Sequence, residues 1–220
     1  MFESQFVDNH KFILATDEVG RGPLAGPVVT CAVKVSIDNL KSLVERLDSV
    51  GVTDSKKLTL KKMESILKEL GVEKFSKFNE HELFQYSVEK VAPKKIDELN
   101  IFQASLFGMK KSCHNLLCDS SSVVLVDGKF PFSSKKINDI HPIIKGDSKS
   151  SLIGLASIIA KVCRDHLMTR EAKKYPHYGF EKNAGYPTAV HRKAIEDYGI
   201  TPIHRKSFKG VKEFVTQENS

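Results

Sequence analysis

Apolar and polar positions along this chain fall into blocks with two different periods, short unbroken apolar runs and longer stretches with helical spacing. Residues 11–16, KFILAT, form a short apolar run that stops at Asp17-Glu18 and a glycine-rich stretch, GRGPLAGP. Such a run reads as a buried strand that delivers acidic residues to its C-terminal end. Residues 28–35, VVTCAVKV, repeat the pattern, and the short connection predicts a hairpin. A polar stretch then leads to Asp54-Ser55-Lys56-Lys57, after which Met63, Ile66, Leu67 and Leu70 recur at helical spacing. Phe75 and Phe78 fall in an expected third strand. From 96 to 117, Leu99, Phe102, Leu106, Met109 and Cys113 recur every three or four residues and predict one core-facing helix.

Two further runs, SVVLVDG at 122–128 and HPIIKGD at 141–147, again meet an acidic residue at a turn. Residues 148–174 contain LIGLASIIAKVCRDHL, apolar enough for a central buried helix. A helix over 188–198 is expected to stop at Gly199, and a short helix is expected in the basic last twenty residues. Two leading strands followed by alternating elements and long helices predict an α/β fold with a mixed sheet and a helical C-terminal part.

The acids are the candidate chemistry. Asp17, Asp127 and Asp147 share one context, a buried-looking run that meets turn residues, and strand ends are where open α/β sheets form ligand sites. Carboxylates that converge there repel one another and lose hydration, costs that a divalent cation offsets. Oxygen donors without clustered cysteines or paired histidines favour Mg²⁺ or Mn²⁺ over Zn²⁺. A pair of such ions, roughly 4 Å apart, supplies the charge and activated water that phosphodiester hydrolysis needs. Glu18 joins this set only if the first strand ends or bulges, because strict alternation puts it on the face opposite Asp17.

Each acid also has a plain structural reading. Asp147 suits the first turn of a helix, beside the cap residue Ser148. Asp127-Gly128 suits a simple turn, and the series Gly20, Gly22, Gly26 suits the hairpin. That series lacks the GxGxxG spacing of a dinucleotide site, and the chain has no GxxxxGK[ST] phosphate loop.

Composition narrows the class. A formal net charge of +7 favours polyanionic partners, and 40% apolar with 28% charged residues is ordinary for a globular protein. The four cysteines have no CxxC spacing, and no window approaches eighteen apolar residues. With no signal-type segment at the N-terminus, these features predict a cytoplasmic, membrane-free protein with reduced thiols, monomeric for want of a coiled-coil pattern.

The run Asp17-Glu18-Val19-Gly20-Arg21-Gly22-Pro23-Leu24-Ala25-Gly26-Pro27 resembles the signature segment of ribonuclease HII. Asp54-Ser55-Lys56-Lys57-Leu58, Asp127-Gly128, Lys145-Gly146-Asp147-Ser148, Ala156 to Val162 with Arg164-Asp165, Tyr178-Gly179-Phe180, Gly185-Tyr186 and His204-Arg205 extend the resemblance in order along nearly the whole chain.

The resemblance implies an RNase H-like fold: a five-stranded mixed sheet flanked by helices, with a catalytic part over 1–174 and a C-terminal helical segment over 175–220 packed on it. It further implies hydrolysis of the RNA strand of RNA–DNA hybrids and incision 5′ of ribonucleotides embedded in duplex DNA, with 3′-hydroxyl and 5′-phosphate ends. Asp17, Glu18, Asp127 and Asp147 would hold two Mg²⁺ or Mn²⁺ ions. Gly20, Arg21 and Gly22 would recognise the ribonucleotide, and Tyr186 would stack under the following sugar.

Lys56, Lys57, Lys145, Lys149, Arg192, Arg205, Lys206 and Lys209 are candidate phosphate contacts, with His204-Arg205-Lys206 as the favoured group. Asn183-Ala184 stands where many relatives resemble His-Lys, a departure that removes expected basic contacts. The sibling ribonuclease HIII is expected to carry an extra N-terminal domain and a GTG-type element, and Arg21 argues against it. Residues 208–220 hold no motif specific for a protein partner such as a replication clamp. Two other classes remain open from the residues: a nuclease that cuts all-deoxy duplex, and a basic nucleic-acid-binding protein whose acids are structural.

Overall fold

The computed structural model describes residues 1–219, with side chains described through residue 215. Its centre is a mixed sheet built from β1 (Phe12–Val19), β2 (Val28–Ser36), β3 (Asn79–Glu80), β4 (Gln85–Val91), β5 (Ser122–Asp127) and β6 (Asp139–Ile143). The spatial order is β3-β4-β2-β1-β5-β6. The expected five strands are therefore six, because a two-residue edge strand, β3, pairs with β4. β1 and β2 form the predicted antiparallel hairpin, whereas β1, β5 and β6 run parallel.

Helices cover both faces: α1 (Ile37–Val50), α2 (Leu60–Glu69) and α5 (Ser151–Lys174) on one, α3 (Pro93–Leu99) and α4 (Ile101–Asn115) on the other. Alternation along β1 assigns the faces. Ile13 and Ala15 pack with α5, and Leu14 packs with Met109 and Cys113 of α4.

Three local predictions needed correction. Helix α1 lies in the stretch expected to be polar loop. Its five buried positions, Leu40, Leu43, Val44, Leu47 and Val50, recur at helical spacing, Ser36 caps its start through the Asn39 amide, and Gly51 ends it at φ +82°. The third strand excludes Phe75 and Phe78, and β4 supplies the central pairing with β2 instead. The single helix expected over 96–117 breaks at Asn100, which takes φ +65° and caps α4 through the Gln103 amide.

Beyond α5 the chain forms α6 (Phe180–Asn183), α7 (Ala189–Tyr198) and a terminal 3₁₀ helix, Lys212–Asn219. Thr188 caps α7 and Gly199 stops it, as the sequence indicates. This C-terminal part shares a separate apolar cluster, including Phe180, Ile195 and Val211, with Met168 of α5 and with Leu24 and Ala25 of the β1–β2 connection. Of residues 208–220, in which no partner motif was found, Ser220 lies outside the described residues.

Candidate active site

Asp17 and Glu18 sit within β1, not beyond it. The register runs unbroken through Asp17–Cys31 and Glu18–Thr30, so the expected strand end or bulge is absent and the two carboxylates face opposite sides of the sheet. They still share a site because β5 pairs with β1 only as far as Thr16–Val126. Past that point the β1 edge is open, and Asp127, the last residue of β5, stands beside it.

Asp17, Glu18 and Asp127 line one cavity of about 360 Å³ together with Gly20, Arg21, Gly22, Lys56, Tyr186, Ser55, Ser157 and Lys161. Asp147 approaches from a 3₁₀ turn, Gly146–Ser148, that links β6 to α5, and it is 6% exposed. Its carboxylate accepts a 3.1 Å bond from Lys56 Nζ, and the Gly146 amide donates to Asp127 at 2.7 Å. The turn packs closely here: a Cβ at Gly146 would lie 2.5 Å from the Ile153 side chain and 3.1 Å from the Asp127 carboxylate, so a larger residue would have to shift both.

The electrostatics are those of crowded acids. Burial, then Glu18 and Asp127, push the Asp17 carboxyl well above the usual range. Burial raises Glu18 to about 7 despite Arg21, which pairs with it at 3.3 Å. Burial also raises Asp127, and Asp147 adds to the shift. Lys56 responds in kind: its contact with Asp147 outweighs burial and lifts its pKa. Among the described residues no three His, Cys, Asp or Glu side chains are grouped as a ready-made cation site. The Lys56 ammonium is the local counter-charge of Asp147.

Of the predicted basic contacts, Arg205 is a correction. It is fully buried, with its donors turned inward and not toward solvent. Its guanidinium donates to the carbonyls of Gly26 (3.0 Å), Arg21 (2.8 Å) and Gly20 (2.6 Å). Arg164, which sequence reasoning gave no role, does the same for Pro27, Ala25 and Ala184. Neither forms an ion pair with a carboxylate among the described residues, and burial lowers them to about 9 and about 10 respectively. Two buried cations thus clamp the glycine-rich loop by its carbonyl oxygens. At Gly20, φ is +95° and a Cβ would fall 2.1 Å from Arg164 Nε, so this position requires glycine.

His204 is buried as well, which removes it too from the favoured phosphate-binding group. The Thr201 amide donates to His204 Nδ1 at 2.9 Å, which leaves the proton of the neutral ring on Nε2. That nitrogen meets His191 Nε2 at 3.0 Å, and His191 Nδ1 in turn reaches the Tyr186 carbonyl at 2.9 Å. One fixed amide donor therefore sets both tautomers and ties down the Tyr186 backbone. Burial, then His191, lower His204 to about 4. Because the unfolded imidazole titrates near ~6.5, this pair contributes stability above that pH and loses it as pH falls toward about 4. NMR titration of the His204 ring is expected to show the neutral form down to about pH 4; a midpoint near ~6.5 would contradict the hydrogen-bond chain.

Tyr186 is 46% exposed and faces Gly22, whose added Cβ would stand 3.4 Å from its ring. Lys57, Lys145, Lys149, Arg192, Lys206 and Lys209 are exposed and line no part of the acidic cavity. Asn183, at the position of the departure noted above, is buried: it donates to the Tyr178 carbonyl and accepts from the Gly185 amide. It shapes the turn before Tyr186 from inside.

The family profile described as Ribonuclease HII matches residues 14–211. The chain is 45% identical over 210 residues to the ribonuclease HII of Desulfotalea psychrophila, covering 94% of this chain and 84% of that one. This chain belongs to the ribonuclease HII family. The ribonuclease HII of Marinomonas sp. is 40% identical over 208 residues, covering 92% of each chain. Among solved structures, the ribonuclease H2 of Pyrococcus horikoshii superimposes with a TM-score of 0.69 at 25% identity, covering 95% of this ribonuclease HII and 100% of that chain. Bst-RNase HIII shares the fold at TM-score 0.70 and 15% identity, over 98% of this chain and 72% of that one.

The sequence reading left Ser55, Ser157 and Arg164 without roles. Ser55 and Ser157 are buried hydroxyls 2.8 Å apart beneath Asp17, drawn from distant segments. Their only sequence signal is a position inside the shared motifs.

Proposed function

We propose that this ribonuclease HII is an endonuclease that hydrolyses the RNA strand of RNA–DNA hybrids and incises duplex DNA 5′ of an embedded ribonucleotide, leaving 3′-hydroxyl and 5′-phosphate ends. One observation carries the reading: acids from both faces of a sheet end open onto the same cavity as a glycine-rich loop and a half-exposed tyrosine. The first group suits phosphodiester chemistry, and the second suits discrimination between sugars by close backbone approach.

The donor set fits a hard divalent cation, because it offers carboxylate oxygens and hydroxyls whose charge is disfavoured without one. Asp17, Glu18, Asp127 and Asp147 would hold Mg²⁺ or Mn²⁺, two ions during catalysis. When bound, these ions supply an activated water and charge stabilisation at the leaving oxygen.

The chain's own groups do the rest. Gly20 and Gly22 let backbone approach the ribose, and Arg21, anchored near Glu18, offers its guanidinium to the adjacent phosphate. Tyr186 stacks under the next sugar. Lys56, now paired with Asp147 and largely exposed, would offer its ammonium to a substrate phosphate. Residues 175–220 act as the substrate-binding segment on the catalytic part, 1–174, and the enzyme works as a monomer. Four buried, unpaired cysteines support a reducing compartment, hence the cytoplasm, and ribonucleotide excision during DNA replication and repair is the fitting role.

The test is cleavage of a duplex with one ribonucleotide, in Mg²⁺, Mn²⁺ or chelator, with the cut mapped. Incision 5′ of the ribonucleotide, abolished by chelator, is expected. Equal cutting of an all-deoxy duplex would remove the specificity, and cleavage that persists in chelator would remove the metal chemistry.

A further inference from the structure

A second cavity, also about 360 Å³, adjoins the first across Glu18, Arg21 and Asp127, which line both. Its wall is different in kind. Phe102, Leu106 and Met109 of α4 and Phe130, just past β5, make it largely apolar, and the Ser105 hydroxyl spends its proton on the Ile101 carbonyl. Phe130 is 59% exposed and stands edge-on to Phe102, with centroids 5.6 Å apart and planes at 86°. Phe130 thus extends the apolar wall of Phe102, Leu106 and Met109 into solvent beside a charged centre, and a contiguous exposed apolar surface of this kind points to a ligand.

We propose that this cavity is the subsite for the sugar of the nucleotide immediately 5′ of the cut, stacked on Phe130 and backed by Phe102. The inference rests on the function proposed above. A scissile phosphate placed at the shared acids has the ribonucleotide on the Tyr186 side, so the strand must leave on the Phe130 side. Bases in a duplex remain stacked on one another, whereas sugar faces are open to an aromatic ring. Lys129, exposed at the cavity edge, and Arg21 suit the flanking phosphates. The arrangement places an aromatic side chain on either side of the reacting bond.

Three duplexes with one ribonucleotide separate the possibilities. The residue 5′ of the mapped cut is a normal deoxynucleotide, a tetrahydrofuran abasic residue that keeps the sugar ring, or a propanediol spacer that keeps only the phosphates. For wild type the first two are expected to be cut alike and the spacer about tenfold less efficiently, mainly through KM, the scale of one lost aromatic stack. Phe130→Ala is expected to lose about tenfold on the first two and nothing further on the spacer, with Phe130→Tyr restoring wild-type behaviour. Because Phe130 is exposed, thermal unfolding of Phe130→Ala should match wild type. Equal KM for Phe130→Ala and wild type would overturn the subsite, as would a spacer penalty that persists in the variant. A tetrahydrofuran penalty as large as the spacer's would assign the contact to the base and overturn the sugar. Failure of wild type to cut even the normal duplex would instead bring down the underlying function, and this inference with it.

Discussion

Asp127→Asn is expected to lower cleavage of a ribonucleotide-containing duplex by about a thousandfold or more while leaving the protein no less stable. Asparagine keeps an oxygen to accept the Gly146 amide but loses the negative charge. In the cation-free protein that charge is a burden: burial and Asp147 already raise the Asp127 pKa. Its removal relieves repulsion, so calorimetry without metal should give a melting temperature at or above wild type. Binding of uncut duplex in the absence of metal should also survive. A variant that still cleaves within about tenfold of wild type would take Asp127 out of the reaction. One that melts many degrees lower would show that the acid is structural, the reading that remained open for Asp127-Gly128 as a turn.

The second large effect is on folding. Arg205→Ala should destabilise the protein by about 3–5 kcal/mol, because it strips donors from the carbonyls of Gly20, Arg21 and Gly26 in a place water does not reach. Some of that cost is offset by removing one of two neighbouring buried cations, since Arg164 helps to lower the Arg205 pKa. Arg205→Lys tests the geometry. An ammonium keeps the charge but cannot span three carbonyls with a planar fork, so lysine should recover little of the loss. Denaturant unfolding measures both variants. Near-wild-type stability of Arg205→Ala, combined with a weaker salt dependence of duplex binding, would return Arg205 to the role of phosphate contact.

The contrast at Arg205 shows where a sequence stops being legible. His204-Arg205-Lys206 reads as a solvated basic cluster, because charge in a short window most often faces water. His204 and Arg205 are buried, with Lys206 left in solvent, because the chain returns past the β1–β2 connection, with Ala25 bridged to His204 and the Arg205 amide bonded to the Leu24 carbonyl. No local pattern encodes that return. Asn183 is similar, a polar residue whose inward bonds depend on where Tyr178 and Gly185 come to lie.

The sequence by itself determined the family, the α/β class, the leading hairpin, the buried helix α5, and the four acids as the candidate centre. The family and the inclusion of Glu18 rest on motif resemblance along nearly the whole chain; the rest follows from nearest-neighbour physics: side-chain period, turn chemistry and acids set at the ends of apolar runs. It did not determine how Glu18 reaches the site from the far face of an unbroken strand, which depends on β5 pairing with β1 no further than Thr16, three residues before β1 ends at Val19. Nor did it determine that two arginines lie under the glycine-rich loop, or that Phe102 and Phe130 meet beside the acids. Those are juxtapositions of residues far apart in the chain, and only the packing of helices against the sheet brings them to one place.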